Sequence, residues 1–273
     1  MNDLALTRRW LAARIKLTLR NPRAVTFTFA FPLVLVVLFN ALNGDTMVKS
    51  AGANVPFSQF YTPAIGVFSL VAACYTTLIM GIATARDSGL LKRVRGTPLP
   101  LGIYLGAWMT SAGVVGILAI VAMFAISVPA FGVTIYASTL PAAIVTLVLG
   151  AACLTALGVA VASLVKNADQ AMPVAQFTFL PLSFISGIWY PLDDAPQWVV
   201  TIAHFFPLYH IAHAFEYCFT PGAGNGWQPN DLWAIAVWTA VGAFIAVRRF
   251  RFEPGQGEGG LRLGRLRSVV AGR

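Results

Sequence analysis

Three histidines and a glutamate stand first among the side chains of this 273-residue chain whose types and spacing suggest chemistry. His210, His213 and Glu216 fall at i, i+3 and i+6, one side of a helix, with His204 close by. Histidine pairs at helical spacing bind zinc, and a membrane metalloenzyme needs such ligands. The HExxH pattern that would make a hydrolytic centre is missing, and the segment reads as interfacial. No metal is therefore expected. A structural role at the interface is favoured, with pH sensitivity as an extra. Asp193, Asp194 and Glu216 read as markers of an outer polar surface. Cys74, Cys153 and Cys218 are not spaced as metal ligands, and the first two sit in apolar runs as small hydrophobes. No G-x-x-x-x-G-K-[ST] run is present, so the sequence offers no P-loop for a nucleotide.

The elements that position these residues are membrane elements. Hydrophobic residues make up 58% of the chain and charged residues 11%, far from the roughly 25% charged of soluble domains. About six helices of ~20 residues with their loops fill this length, and a separate soluble domain does not fit in the remainder. The net charge of +9 reports orientation in such a chain rather than nucleic-acid binding. The stretch Pro181–Ile211 is apolar and aromatic, lacks Lys and Arg, and is broken by Pro191, Pro196 and Pro207. A regular helix in lipid does not tolerate that many freed backbone groups. The chain is expected to turn back partway there, as a re-entrant pair of short helices.

Taken in order, residues 3–22 predict an amphipathic helix. Leu6, Trp10, Ala13 and Leu17 form an apolar stripe, and Arg9, Lys16 and Arg20 share another face. A signal peptide is rejected, because the apolar run 25–42 is too long and no small-residue cleavage pattern follows it. Spans are predicted at Val25–Leu42, Phe60–Thr84, within Leu101–Val128, at Leu140–Val165, Met172–Ile188 and Leu232–Val247. The connection Asn43–Gln59 is polar. Gly102 and Gly106 open the third span, and Ala152, Ala156 and Ala160 give the fourth a small-residue stripe suited to close packing. The last span is short and is expected to gain length from Trp227–Asp231 and from Arg248. The Gly/Arg-rich tail from Glu253 is expected to be disordered or to adhere to a membrane surface.

Of 19 Lys and Arg residues, 18 fall in the N-terminal segment, the 85–98 loop, the 166–170 turn or the tail; only Lys49 lies in an opposite loop. The positive-inside rule then puts both termini in the cytoplasm, which requires an even number of crossings. Counting Ala195–Phe215 as a seventh span would put the tail's arginines outside, so six spans are expected.

At this point the sequence resembles the membrane subunit of an ABC-2 type exporter, the family of daunorubicin-resistance-type and polysaccharide-export permeases. The resemblance covers residues 3–250. It is carried by S-G-I-W-Y-P-L at 186–192, then Pro196, Trp198 and P-L-Y at 207–209, and by D-S-G-L-L-K-R-V-R-G-T-P at 87–98. Asp87 stands where the family usually has Glu. The resemblance implies an all-α polytopic fold in three parts: a cytoplasmic amphipathic helix (1–23), a six-span domain (24–250) and a cytoplasmic tail (251–273). It implies a bacterial plasma-membrane permease that moves a hydrophobic or amphipathic substrate (drug, lipid or glycan-type) outward. Two such chains, alike or related, would dock on separate ATP-binding subunits that hold the ATP and Mg; this chain binds no cofactor or nucleic acid and is not an enzyme. Coupling to the ATPase is expected from Arg86, Asp87, Gly89, Lys92, Arg93 and Arg95, with Arg8, Arg9 and Trp10. The substrate path is expected along Tyr61, Phe68 and Tyr75 and along Phe177 and Phe184, each set repeating every seven residues. Ser186, Gly187, Tyr190, Pro191, Pro196, Trp198 and Pro207 are expected to form the re-entrant extracellular motif. The competing expectation, a secondary transporter or channel working alone, calls for charges buried within the spans, and the predicted spans hold essentially none.

Overall fold

A computed structural model describes residues 3–43, 46–96, 101–193 and 195–249. The chain begins with α1 (Asp3–Leu19) and the single turn α2 (Pro22–Val25). A π-helical turn, Thr26–Ala30, leads into α3 (Phe31–Asn43). The connection that reads as merely polar folds into a hairpin, β1 (Met47–Ser50) against β2 (Ala53–Pro56), antiparallel with Lys49 opposite Asn54. The fold is therefore not purely helical. Its two-residue loop has Ala51 at φ 51° and Gly52 at φ 78°, the left-handed pair that matches the twist of two-residue hairpins.

The longest helical element joins α4 (Phe57–Val71), a π turn at Ala72–Thr76 and α5 (Thr77–Asp87). Thr77 Oγ1 donates to Ala72 O at 2.8 Å. The predicted span Phe60–Thr84 extends in the structure to Phe57–Asp87, about 46 Å at 1.5 Å per residue. This exceeds the ~30 Å hydrocarbon core. Next come α6 (Leu90–Arg95), α7 (Leu101–Phe131), α8 (Leu140–Leu164) and α9 (Ala168–Ile185). Two short helices, α10 (Gln197–Ala203) and α11 (Pro207–Tyr217), precede α12 (Pro229–Arg249).

Among the described residues four helices are long and apolar enough to cross a membrane: Phe57–Asp87, Gly102–Phe131, Leu140–Leu164 and Pro229–Arg249. The predicted first and fifth spans are also helical, as the shorter apolar helix Thr28–Asn43 and as α9, which contains Pro173 and Pro181. The run 195–215 is not one span, since α10 and α11 have 7 and 11 residues, too few for the ~17 a crossing needs. The last span does gain length, starting at Pro229 and ending with Arg249, and the Arg248 guanidinium sits 4.6 Å over the Phe244 ring.

The element α4–α5 is the centre of the bundle. Fourteen of the fifteen α4 residues are buried, because α3, α7, α8, α9 and α11 all pack around this element or its π turn. Helix α12 lies against α8 where Gly242 meets the backbone of Ala156 and Leu157; a Cβ on Gly242 would stand 3.0 Å from Leu157 N. Here the predicted small-residue stripe does its packing. Gly102 and Gly106 meet nothing within 4 Å, whereas Gly116 closes on Leu70. Gly242→Val is expected to push α12 off α8 and cost about 1–3 kcal/mol, read as a lower midpoint in a thermal melt of the purified protein.

Helix α1 differs from its predicted face. It packs on α7 through Arg14, whose guanidinium carbon lies 3.4 Å from the Trp108 ring centre. Ala13 and Leu17 of the expected apolar stripe are exposed. A guanidinium satisfies an aromatic face as well as an aliphatic side chain does, and Leu17 stays on the outside.

Candidate functional site

The C-terminal end of α5 builds the first of two polar sites. Arg86 is 3% exposed. Its guanidinium donates to Ala162 O at 3.3 Å and also to Val165 O. Ala162 is in the last turn of α8 and Val165 is the residue just beyond it, so no intrahelical N–H reaches either carbonyl. Asp87, next along the chain, accepts from the backbone N–H of Ala168, the first residue of α9. Asn167 caps the same helix through Gln170 N at 3.1 Å. A cation therefore sits on the negative end of one helix and an anion on the positive end of the next, each matching the local dipole. Two adjacent residues fasten α5 to the whole α8–α9 corner.

Arg86 is thus turned inward, not free to fork onto a partner's carboxylate. Gly89 then takes φ 72° and φ/ψ suited to glycine, and its carbonyl accepts from Arg93 N at 3.2 Å. This turn starts α6, which buries Leu91 and exposes Lys92 and Arg93. Arg9 is exposed on α1. The side chains of Arg8, Trp10 and Arg95 lie outside the described residues, as do Asp194 and the tail from 250 on.

Among the aromatics, Tyr61, Phe68 and Tyr75 point into the chain's own interior. Tyr61 stacks on Phe57 at 4.9 Å, Phe68 meets Phe179 at 5.3 Å, and the Tyr75 hydroxyl is 2.8 Å from Thr178 Oγ1. Phe177 and Phe184 of α9 are 83% and 51% exposed and share an outer face with Leu180. The two sets therefore lie on different sides of the structure.

The second polar site lies at the opposite end, around the S-G-I-W-Y-P-L turn. Ser186 is buried and donates to Leu182 O at 2.5 Å. Gly187 is buried with φ 84°, a conformation that reverses the chain after α9. Trp189, not expected from the sequence to carry a role, anchors the turn: its indole N–H donates to Ser183 Oγ at 3.1 Å and its ring packs on Phe68 and Phe184. Tyr190 is exposed and Pro191 half-buried. Pro196 precedes α10, on which Trp198 is exposed, and Pro207 is the buried first residue of α11. Asp193 accepts from Ala51 N at 3.2 Å and Gly52 N at 3.0 Å, so the hairpin loop is latched to the turn.

The histidines converge on a residue that sequence reading treated only as helix length, Asp231 in the first turn of α12. His210 Nδ1 lies 2.7 Å from Asp231 Oδ1 and His213 Nδ1 lies 2.7 Å from Oδ2. His210 Nε2 is 2.9 Å from His204 O. A carboxylate and a carbonyl both accept, so both His210 nitrogens donate and the ring is an imidazolium. Burial opposes that charge, but the Asp231 and His204 oxygens outweigh it and hold the His210 pKa above its ordinary value. Among the described residues no three His, Cys, Asp or Glu side chains are placed to hold a metal ion. Glu216, expected at the outer surface, is half-buried, and one of its carboxyl oxygens, Oε1, is sealed from solvent with no hydrogen-bond partner.

Residues 6–220 match the model of a family described as "ABC-2 type transporter". The chain is 25% identical over 200 residues to the Bacillus subtilis (strain 168) protein named transport permease YvfS, covering 73% of this chain and 79% of that one. It is 22% identical over 194 residues to the inner membrane transport permease YadH of Escherichia coli (strain K12), covering 70% and 75%. It is 24% identical over 216 residues to a further protein of that strain, named as the multidrug ABC transporter permease YbhR, covering 77% and 57%.

Proposed function

The chain belongs to the ABC-2 type transporter family, and from that premise we propose that it is the permease subunit of an ATP-driven exporter. Its cargo is a hydrophobic or amphipathic molecule moved out of a bacterial cytoplasm. ATP and Mg are held by separate ATP-binding subunits, and two permease chains, identical or related, form the pathway. Six crossings place both termini, α6 and the tail in the cytoplasm, with α10 and α11 as the re-entrant pair on the outer side. Residues 1–23 lie on the inner membrane surface, 24–250 form the transmembrane domain and 251–273 the cytoplasmic tail.

The observation that carries this reading is the Arg86–Asp87 fastening. A partner that moves the exposed cations of α6, Lys92 and Arg93, pulls on Gly89 and so on a pair bonded to α8 and α9. Motion at one membrane face is then delivered to the helix bearing Phe177 and Phe184, the aromatic face proposed for the cargo path. Phe68 and Tyr75 back that helix, and Tyr61 continues their line on α4. Arg8, Arg9, Trp10 and Arg95 are proposed as further contacts to the ATP-binding subunit. Bundles of this kind pass between two packed arrangements rather than deforming smoothly.

The test is reconstitution of the chain in vesicles with an ATP-binding subunit that co-purifies with it. ATP-dependent movement of an amphipathic dye is expected. Equal movement without nucleotide overturns the reading in favour of a transporter or channel working alone. Asp87→Ala is expected to insert normally yet lower dye movement per ATP hydrolysed about tenfold, because the α9 end of the fastening is lost.

A further inference from the structure

Helix α10 has seven residues and buries only Val199 and Ala203, chiefly against α9. Trp198 and Ile202 on it, and Phe205 just beyond, face outward at i, i+4 and i+7. An element with so little apolar burial depends on its polar bonds to stay docked. Two ring N–H groups supply them, both at the corner between α10 and α11. His210 Nε2 lies 2.9 Å from His204 O, and Trp238 Nε1 of α12 donates to Phe205 O at 3.1 Å. The Trp238 ring also meets the Phe205 ring edge-on at 5.8 Å. The two bonds differ in kind. An indole N–H is permanent, whereas His210 holds His204 O only while its ring carries two protons, because Nδ1 is committed to Asp231. Gln197 and Val200 of α10 also wall a cleft of about 370 Å³ shared with the hairpin loop and the 186–195 turn.

We propose that His210 is a proton-operated clasp for α10: the imidazolium docks the helix at its corner, and the neutral ring releases it and widens the cleft. Loss of one proton leaves one N–H for two acceptors. The carboxylate keeps it, since a bond to a charged acceptor is the stronger. His213 holds the other Asp231 oxygen at 2.7 Å and so keeps the carboxylate in place. Nε2 then turns a lone pair on the His204 carbonyl, and the two repel. The proton goes to water and one hydrogen bond is lost. Phe205, still held by Trp238, is the pivot about which α10 swings.

The docked form holds one proton more than the released form, so rising pH favours release. Burial opposes the charge, but the Asp231 and His204 oxygens outweigh it and keep the proton on His210 above the ordinary value near 6.5. The titratable groups facing His210 are Asp231 from α12, the His204 ring at 6.3 Å from the corner, and Tyr209 and His213 on its own helix. Burial first and the His210 charge second lower the His204 pKa, so that ring stays neutral beside the imidazolium. Helices α4 and α8, also packed on α11, carry no charged residue, and the acid of α9, Asp169, stands in its distant first turn. Asp193 and Glu216 line the cleft. The clasp belongs to the chain alone, so its test uses neither nucleotide nor an ATP-binding subunit.

The chain has three histidines, so nitrogen-15 labelling of histidine in the full chain in lipid nanodiscs gives three ring titrations. Hydrogen exchange read by mass spectrometry, corrected for intrinsic exchange, follows the α10 amides from about pH 5.5 to about pH 9. Wild-type α10 is expected to lose protection about tenfold, with a midpoint that matches one ring titration above about 6.5, while α12 keeps its protection. His210→Arg, which donates from more than one nitrogen at every pH, is expected to hold α10 throughout. His210→Gln, with a single donor nitrogen, is expected to leave α10 unprotected at both ends of the range and to remove the matching titration. The wild-type arm needs no substitution and decides the matter if neither variant folds. Protection of α10 that changes less than twofold overturns the proposal. So does a midpoint more than about one pH unit from every histidine titration, or a folded His210→Gln chain that keeps the wild-type pH dependence.

Discussion

Replacing Arg86 by alanine is expected to produce the largest single loss at the α6 end of the molecule. The change removes two charge-assisted bonds to Ala162 O and Val165 O, each worth about 1.5–3 kcal/mol. A net cost of about 3 kcal/mol lowers the melting midpoint by roughly 6–12 °C for a chain of this size. Arg86→Lys recovers only part of this, because a point-like ammonium does not span two carbonyls as a guanidinium does. Dye movement per ATP hydrolysed is expected to fall more than about tenfold in both variants, while partner binding through Lys92 and Arg93 persists. Circular dichroism melts, co-purification and the ratio of transport to hydrolysis separate these effects. An Arg86→Ala chain that melts and transports like wild type removes the fastening from consideration.

Asp231→Ala is expected to have the corresponding effect at the other end. Two imidazoles lose their shared carboxylate, and the His210 imidazolium is left half-buried without an anion. Breaking such a pair from one side costs about 3 kcal/mol, again visible in a melt. The pH dependence has a definite sign. The folded-state pKa of His210 is raised, so its contribution to stability is complete below the ordinary value near 6.5. That contribution is lost as pH rises through the raised value. The wild-type midpoint is therefore expected to fall between pH 6 and pH 9 by more than that of His210→Gln. Identical slopes for the two chains show that His210 is neutral throughout.

The long apolar helices were legible because hydrophobic runs mark them directly, and Leu140–Val165 differs from α8 by one residue at its end. The break in 195–215 was legible from Pro196 and Pro207, which open α10 and α11. The hairpin was missed since Met47–Pro56 is short, and its loop is held by Asp193 some 140 residues away. Asp231 was missed for the same physical reason. Its partners lie on another helix, and spacing along one segment reports only neighbours on that segment. Arg86 was found as a candidate but with the wrong surroundings, because a charge beside a basic loop looks solvent-facing until the carbonyls of α8 are brought to it. Trp189 was quoted within its motif without being singled out, since only packing against Phe68 and Phe184 reveals it as an anchor.

The central element α4–α5 and helix α9 are joined by successive rungs: Asp87 to Ala168, Tyr75 to Thr178, Phe68 to Phe179 and Trp189, and the hairpin loop before α4 to Asp193 beyond α9. A ladder fixed at its feet, middle and top leaves little room for sliding between its rails. The pair must tilt together as one plank. Any widening of a passage in this protein then has to occur on the far side of α9, where Phe177, Leu180 and Phe184 face outward.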